Sequence, residues 1–270
     1  MFNIQSNLEE AKDKIIAVAF QDLETGTDYF LNADHAFHPA STFKVHVMME
    51  VFHQINEGSL SLDDRLTIIN SFTSIADGSK YSLDVNDDAE QTLYPRIGET
   101  ETICELIRLM IVRSSNLATN ILIEHVGTGN VNNFIQALGI EGVTVRRGVE
   151  DNAAFRLSMN NSATARSLTE TMSLIARKKV VSEKASQQMI DILLGQEFNE
   201  SIPALLPTSV KVAHKTGWTD DFYHDTGIVY PENRKPYVLS IMTKGFTRDH
   251  EADAHKCRSK ISKVIYEQLP

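Results

Sequence analysis

The order of elements in this sequence predicts a mixed α/β sandwich. An antiparallel sheet is built from both ends of the chain and flanked by terminal helices, and an all-helical part is inserted between its halves. Two observations predict it: short β-branched runs with turn signals lie near both termini, and the middle carries apolar residues at helical spacing. With 270 residues, 42% of them hydrophobic, the chain is long enough to bury a large core. The expected division is 1–45 with 205–270 as the sheet part and 46–204 as the helical part, together forming one unit.

The first strand is expected over Ile15 to Gln21. Asp22 to Gly26 reads as a turn, and Tyr29 to Leu31 as the returning strand. Pro39 breaks the chain just before Ser41. From Phe43, the residues Val47, Met48, Val51, Phe52 and Ile55 recur at helical spacing until Gly58. A second helix begins at Thr102, where Thr102 and Glu105 have the spacing of a capping box. Ser114-Ser115-Asn116 interrupts it, and a further helix follows from Leu117 to Val126. Helices are expected near 131–138, 163–178 and 182–194, with Arg177-Lys178-Lys179 at a C-terminus where cations complement the dipole. The stretch 142–161 has no clean period and reads as a long loop, and Asp84 to Glu90 as an acidic surface loop. Strands return at Val210 to His214, Gly227 to Tyr230 and Tyr237 to Thr243, before a last helix over 249–268.

Three short patterns carry chemistry. In Ser41-Thr42-Phe43-Lys44 the serine and lysine share a helix face, so the amine can act as base on the hydroxyl. A lysine in an apolar pocket is driven towards the neutral form that this requires. The helix N-terminus around Ser41 favours developing negative charge. Ser114-Ser115-Asn116 sits at a helix break that turns side chains into a cleft. There Ser114 can relay a proton to a leaving nitrogen, and Asn116 can hold an amide with its donor and its acceptor. Lys215-Thr216-Gly217 at a strand end suits a substrate carboxylate, with Gly217 allowing close approach to the backbone. The N–H of Trp218 can join that of Ser41 as an oxyanion hole. Each pattern alone has an ordinary counterpart: an exposed lysine, a helix cap, a glycine turn.

In this order the three patterns resemble the motif set of penicillin-recognising serine enzymes, and the chain is similar to class A β-lactamases over nearly its whole length. The local text that carries the resemblance is Phe37 to Val45, Gly58 to Asp63, Met110 to Asn120 and Val212 to Gly217, with serine at 115 where aspartate is usual. The resemblance implies a two-subdomain β-lactamase/transpeptidase-like fold with the site in the cleft. It implies that Ser41 attacks a carbonyl, Lys44 takes its proton and Ser114 protonates the departing nitrogen. Asn116 would bind an acylamide, Lys215 and Thr216 a carboxylate, and Asn120 would pin the long loop. The family's loop carries a glutamate in a Glu-x-x-Leu-Asn pattern two residues after an arginine, as the deacylation base. Here Glu150 lies three residues after Arg147 and no Leu-Asn follows. Glu150, or Asp151 in its place, is the candidate.

Composition narrows the partners. A formal net charge of −10 argues against a nucleic-acid binder, which needs a basic field. No apolar run is long enough to span a bilayer. The first ten residues lack a basic start and an apolar core, so as written the chain is expected in the cytoplasm, or outside it if an export segment has been removed. The nine histidines show no metal-ligand spacing, His46 and His53 coming nearest, and no metal or organic cofactor is expected. Cys104 reads as buried in a helical run, and Arg248 is a candidate to support Lys215 only by its position after the last strand. The expected activity is a monomeric serine β-lactamase opening a cyclic amide through an acyl-Ser41 intermediate. The alternatives are a D-alanyl peptidase, amidase or esterase on the same scaffold, or a slowly deacylating penicillin-binding sensor.

Overall fold

The structure, a computed structural model, describes residue 11 and residues 13–269. In chain order the first elements are β1 (Ile15–Asp22), β2 (Asp28–Leu31) and α1 (Lys44–Asn56). Four short strands follow: β3 (Arg65–Thr67), β4 (Phe72–Thr73), β5 (Lys80–Tyr81) and β6 (Thr100–Thr102). The helical run is α2 (Ile103–Val112), α3 (Asn116–Val126), α4 (Thr128–Ala137), α5 (Asn152–Arg156), α6 (Ala165–Ala176) and α7 (Glu183–Leu194). The chain closes with β7 (Lys211–Trp218), β8 (Phe222–Tyr230), β9 (Tyr237–Lys244) and α8 (Glu251–Glu267).

The five long strands form one antiparallel sheet in the order β2-β1-β9-β8-β7, so both ends of the chain meet in it as the sequence predicts. Both faces are covered, which is why β1 reads as an unbroken apolar run. Ala17 and Ala19 face the helical core, while Ile16, Val18 and Phe20 face α8 with Ile261 and Ile265. The helix α6 falls in the helical part of the expected division. It packs on β1, β8 and β9, where Thr169 Oγ1 donates to the Ala19 carbonyl at 3.1 Å. At the centre lies α1, with every residue from Lys44 to Phe52 buried among α2, α3, α4 and α7. A helix buried all round is apolar all round except where its polar residues have partners.

Several local expectations are corrected. The strand carrying Lys215 does not end at His214; it runs on through Trp218. The pairs β3–β6 and β4–β5 are too short to announce themselves, and the loop 142–161 contains α5. Thr102 does cap α2, accepting from Glu105 N at 3.2 Å, but the return bond from Thr102 N goes to Glu101 and not to Glu105. Cys104 is exposed on the first turn of α2, and Cys257 is buried; the two are not joined in a disulfide. The segment from Asp84 to Glu90 is not wholly surface, because Asp88 and Glu90 are buried.

Candidate active site

The nucleophile turn is a single 3-10 turn, Ala40–Phe43, that runs directly into α1 at Lys44. In a 3-10 turn residues i and i+3 eclipse, so Ser41 and Lys44 share a side. Ala40 enters it with φ +47°, a conformation costly for any residue with a Cβ. Ser114, at the break between α2 and α3, has φ +55°, and Glu150 has φ +60°. These three line one cleft of about 430 Å³ together with Ser41, Asn116 and Trp218. Strained backbone persists where the surrounding structure over-determines it, and three such residues border this opening.

Two buried amines meet at Ser114. Lys44 Nζ donates to Ser114 O at 2.7 Å, to Asn116 Oδ1 at 2.9 Å and to Ser114 Oγ at 3.4 Å. Lys215 Nζ donates to Ser114 Oγ at 3.1 Å and to the Thr216 carbonyl at 2.9 Å. Among the described residues, Ser41 Oγ is not one of the partners of Lys44 Nζ. Burial lowers the pKa of Lys44 to about 7, against the opposing pull of Asp88 and Glu150. Burial and then the charge of Lys44 push Lys215 well below its ordinary value, with Asp225 opposing. Two ammonium groups that share a hydroxyl out of water repel each other, which favours the loss of one proton.

The edge strand β7 supplies the opposite wall. Thr219 N donates to Phe222 O at 2.9 Å, which makes 219 and 222 a hydrogen-bonded pair. By alternation 217 and 224 are another, so the N–H groups of Thr216 and Trp218 point off the sheet edge, into the cleft. What approaches Gly217 closely is the nucleophile turn itself: a Cβ there would lie 2.7 Å from Ser41 N and 3.0 Å from Thr42 N. The glycine therefore lets the N–H groups of Ser41 and Trp218 come together. Behind the strand, His214 and Asp225 are both fully buried, with Nδ1 2.9 Å from Oδ1. His214 Nε2 reaches Asn199 Oδ1 at 3.2 Å.

Over residues 3–269 the chain matches the family described as the beta-lactamase enzyme family. The chain belongs to that family. A β-lactamase of Bacteroides uniformis is 27% identical over 253 residues, covering 87% of this chain and 80% of its own. The CTX-M-97 β-lactamase of Escherichia coli is 28% identical over 236 residues, covering 86% and 77%. Among solved structures, the TLA-1 extended-spectrum β-lactamase superposes with a TM-score of 0.82 at 22% identity, covering 98% of this chain and 97% of that one. An acyl-enzyme complex of a PBP-A point mutant with penicillin G gives 0.81 at 24%, covering 98% and 93%.

Within this β-lactamase-family fold, the departures noted in the sequence acquire positions. Asn120 does pin the loop, but at Val149: its Oδ1 accepts from Val149 N at 2.7 Å and its Nδ2 donates to Val149 O at 3.0 Å. Gly148 makes room, since a Cβ there would lie 2.5 Å from Asn120 Oδ1. Val149 faces the cleft, and Glu150 follows one residue on. Glu150 Oε2 accepts from Asp84 N at 3.0 Å, and Oε1 lies 3.4 Å from Asn116 Nδ2. Burial, helped by Asp87 and Asp88, raises the pKa of Glu150 despite these donors. Asp151 is occupied elsewhere, accepting from Ser74 Oγ, Ile75 N and Ala154 N as the cap of α5.

Two residues escaped the sequence reading. Arg248 is exposed and paired with Asp220 at 3.5 Å. The arginine buried beside the edge strand is Arg258 on α8, whose Nη1 has no hydrogen-bond partner among the described residues. Its Nε donates to Ser201 Oγ at 3.0 Å, and it lines a second hollow with Thr216 and Trp218. Thr216 Oγ1 is likewise buried without a partner among the described residues. The other is Asp88, whose carboxylate receives the backbone N–H groups of both Asn116 and Leu117 at 2.9 Å. A buried charge on an amphipathic helix was the available signal for Arg258; nothing local marked Asp88.

Proposed function

We propose that the protein hydrolyses β-lactam amides through an ester to Ser41. Neutral Lys44 takes the Ser41 proton as Oγ attacks the carbonyl carbon, and the N–H groups of Ser41 and Trp218 receive the negative oxygen. The ring C–N bond then breaks, and Ser114 passes a proton to the nitrogen, drawing on the amines at its own hydroxyl. Asn116 holds the acylamide side chain. Lys215, Thr216 and Arg258 hold the carboxylate, the last two through the atoms now without partners. Water then attacks the ester carbonyl, Glu150 takes its proton, and Ser41 leaves with its hydrogen restored. One chain supplies every group invoked, so a monomer suffices, and no step calls for a metal.

The observation that carries this reading is Ser114 Oγ, 3.4 Å from one buried amine and 3.1 Å from another, in the cleft that Ser41 lines. A hydroxyl between two amines of lowered pKa is a ready proton relay. The absence of a direct Ser41–Lys44 hydrogen bond is compatible, since catalytic contacts commonly tighten only when substrate is bound.

A second reading is favoured by Val149. The position that Asn120 holds towards the cleft is apolar, and the carboxylate one residue later already bonds Asp84 N and Asn116. If Glu150 keeps those bonds during the reaction, the acyl-enzyme forms and then persists, as in a penicillin-binding sensor or peptidase. Single-turnover measurement on Glu150→Gln separates the two. Slower ester release with unchanged ester formation supports Glu150 as the deacylation base; equal release rates in both proteins remove it from the mechanism.

A further inference from the structure

We propose that Asp88, from a loop remote in sequence, is the positioning residue of the Ser114-Ser115-Asn116 turn and holds Lys44 in its working arrangement. The inference rests on the reading of Lys44 as the base. Asp88 is buried, and its Oδ2 accepts from Asn116 N and Leu117 N at 2.9 Å and from Tyr94 OH at 3.0 Å. Its Oδ1 accepts from Glu90 N at 3.0 Å. The first N–H groups of α3 have no helical partners, and a carboxylate at that end is favoured by both hydrogen bonding and the dipole. Ser115 completes the cap by accepting from Ala118 N at 3.1 Å. With the first turn of α3 held in this way, the Asn116 side chain faces Lys44, whose Nζ donates to its Oδ1 at 2.9 Å.

The same carboxylate is one of the charges felt by Lys44. The charged groups around that amine are Lys215 on β7, Glu150 on the loop and Asp88, with Asp225 behind Lys215. Lys215 favours neutral Lys44, and the two carboxylates favour the ammonium. Asp88 differs from Glu150 in being locked by four donors, so its charge stays in place while substrate comes and goes. The motif itself carries a neutral serine at 115; the negative charge that orders the turn comes from the neighbouring loop.

The test is the titration of Lys44, followed by the ¹³Cε shift in lysine-labelled full-length protein, in wild type, Asp88→Asn, Asp88→Glu and Tyr94→Phe. Asp88→Asn keeps shape and removes charge, so the Lys44 midpoint should fall by about one pH unit. The acid limb of acylation by a penicillin should move down with it, because the neutral amine then persists to lower pH. Asp88→Glu should restore the midpoint. Tyr94→Phe removes one bond to the carboxylate without touching its charge, and should leave the midpoint in place. An unchanged midpoint in Asp88→Asn overturns the proposal, as does an equal shift in Tyr94→Phe. The titration is read without substrate, so a wild type that no penicillin acylates would sink the functional reading while leaving this result to stand or fall alone.

Discussion

Replacing Gly217 by alanine presses a single methyl group between the edge strand and the nucleophile turn. The added Cβ would sit 2.7 Å from Ser41 N, 3.0 Å from Thr42 N and 3.1 Å from Ala40 Cβ. Ordinary contact begins near 3.4 Å, so strand and turn must part by about 0.7 Å. None of the three atoms belongs to a flexible side chain that can swing aside. Overpacking of this kind costs about 1–3 kcal/mol of folding stability. The larger effect falls on chemistry, because the N–H groups of Ser41 and Trp218 must converge on one oxygen. A misplacement approaching 1 Å can cost about 100-fold in rate. We therefore expect kcat/KM for a chromogenic cephalosporin to drop about 30- to 100-fold, about 2–3 kcal/mol of transition-state stabilisation. Thermal unfolding should place the variant well folded at the assay temperature. Wild-type kcat/KM in such a folded variant would refute the argument that this glycine sets the convergence of the two donors.

Other outcomes follow from the same geometry. With the Lys44 pKa at about 7, acylation should lose about tenfold per pH unit below that value, since only the neutral amine accepts the serine proton; a flat profile from pH 8 to pH 5 would exclude Lys44 as the base. Arg258→Lys keeps the charge but loses the planar fork, and should raise KM for a carboxylate-bearing substrate about tenfold with little change in kcat; an unchanged KM would show that the unpaired Nη1 is not a ligand. Asp225→Ala leaves His214 buried without its partner and should cost about 3–5 kcal/mol in denaturant unfolding. The pH dependence of that pair has a definite sign. Burial raises the Asp225 pKa, but the charge and hydrogen bond of His214 and the donor Ile202 N outweigh it, so the folded value lies below the ordinary one. The contribution is therefore complete above the unfolded value of about 3.9 and is lost as pH falls through the folded value. The wild type should lose more stability than Asp225→Asn on acidification below about pH 4; parallel curves would remove the pair from acid stability.

What the sequence made legible was whatever repeats locally. The apolar run of β1, the apolar residues at helical spacing in α1 and the break at Ser114 are carried by neighbours in the chain, and their positions in the fold match. The three motifs could be matched in order, and they line or border one cleft. The rest depended on contacts that no spacing encodes. Gly217 looked like a place for a ligand, yet the closest atoms to its missing Cβ belong to residues 176 positions earlier and their neighbours. Asp88 sat in a run of acids that read as solvated, and only the fold brings it to the first turn of α3. Arg248 drew attention by its position after the last strand, Arg258 lies on the helix that follows, and burial rather than order chose between them. The shift of register at Val149 and Glu150 was visible as text, but its consequence follows only from Asn120 bonding both backbone atoms of Val149.

The central claim is a transient ester on Ser41. The most direct test is intact-protein mass spectrometry after mixing with a penicillin, sampled from milliseconds to minutes, with the adduct mapped by peptide digestion and hydrolysis followed in parallel. We expect an adduct of the full penicillin mass on the peptide holding Ser41, decaying at the rate of steady hydrolysis and absent in Ser41→Ala. Hydrolysis that persists in Ser41→Ala, or an adduct on any other residue, would contradict the account.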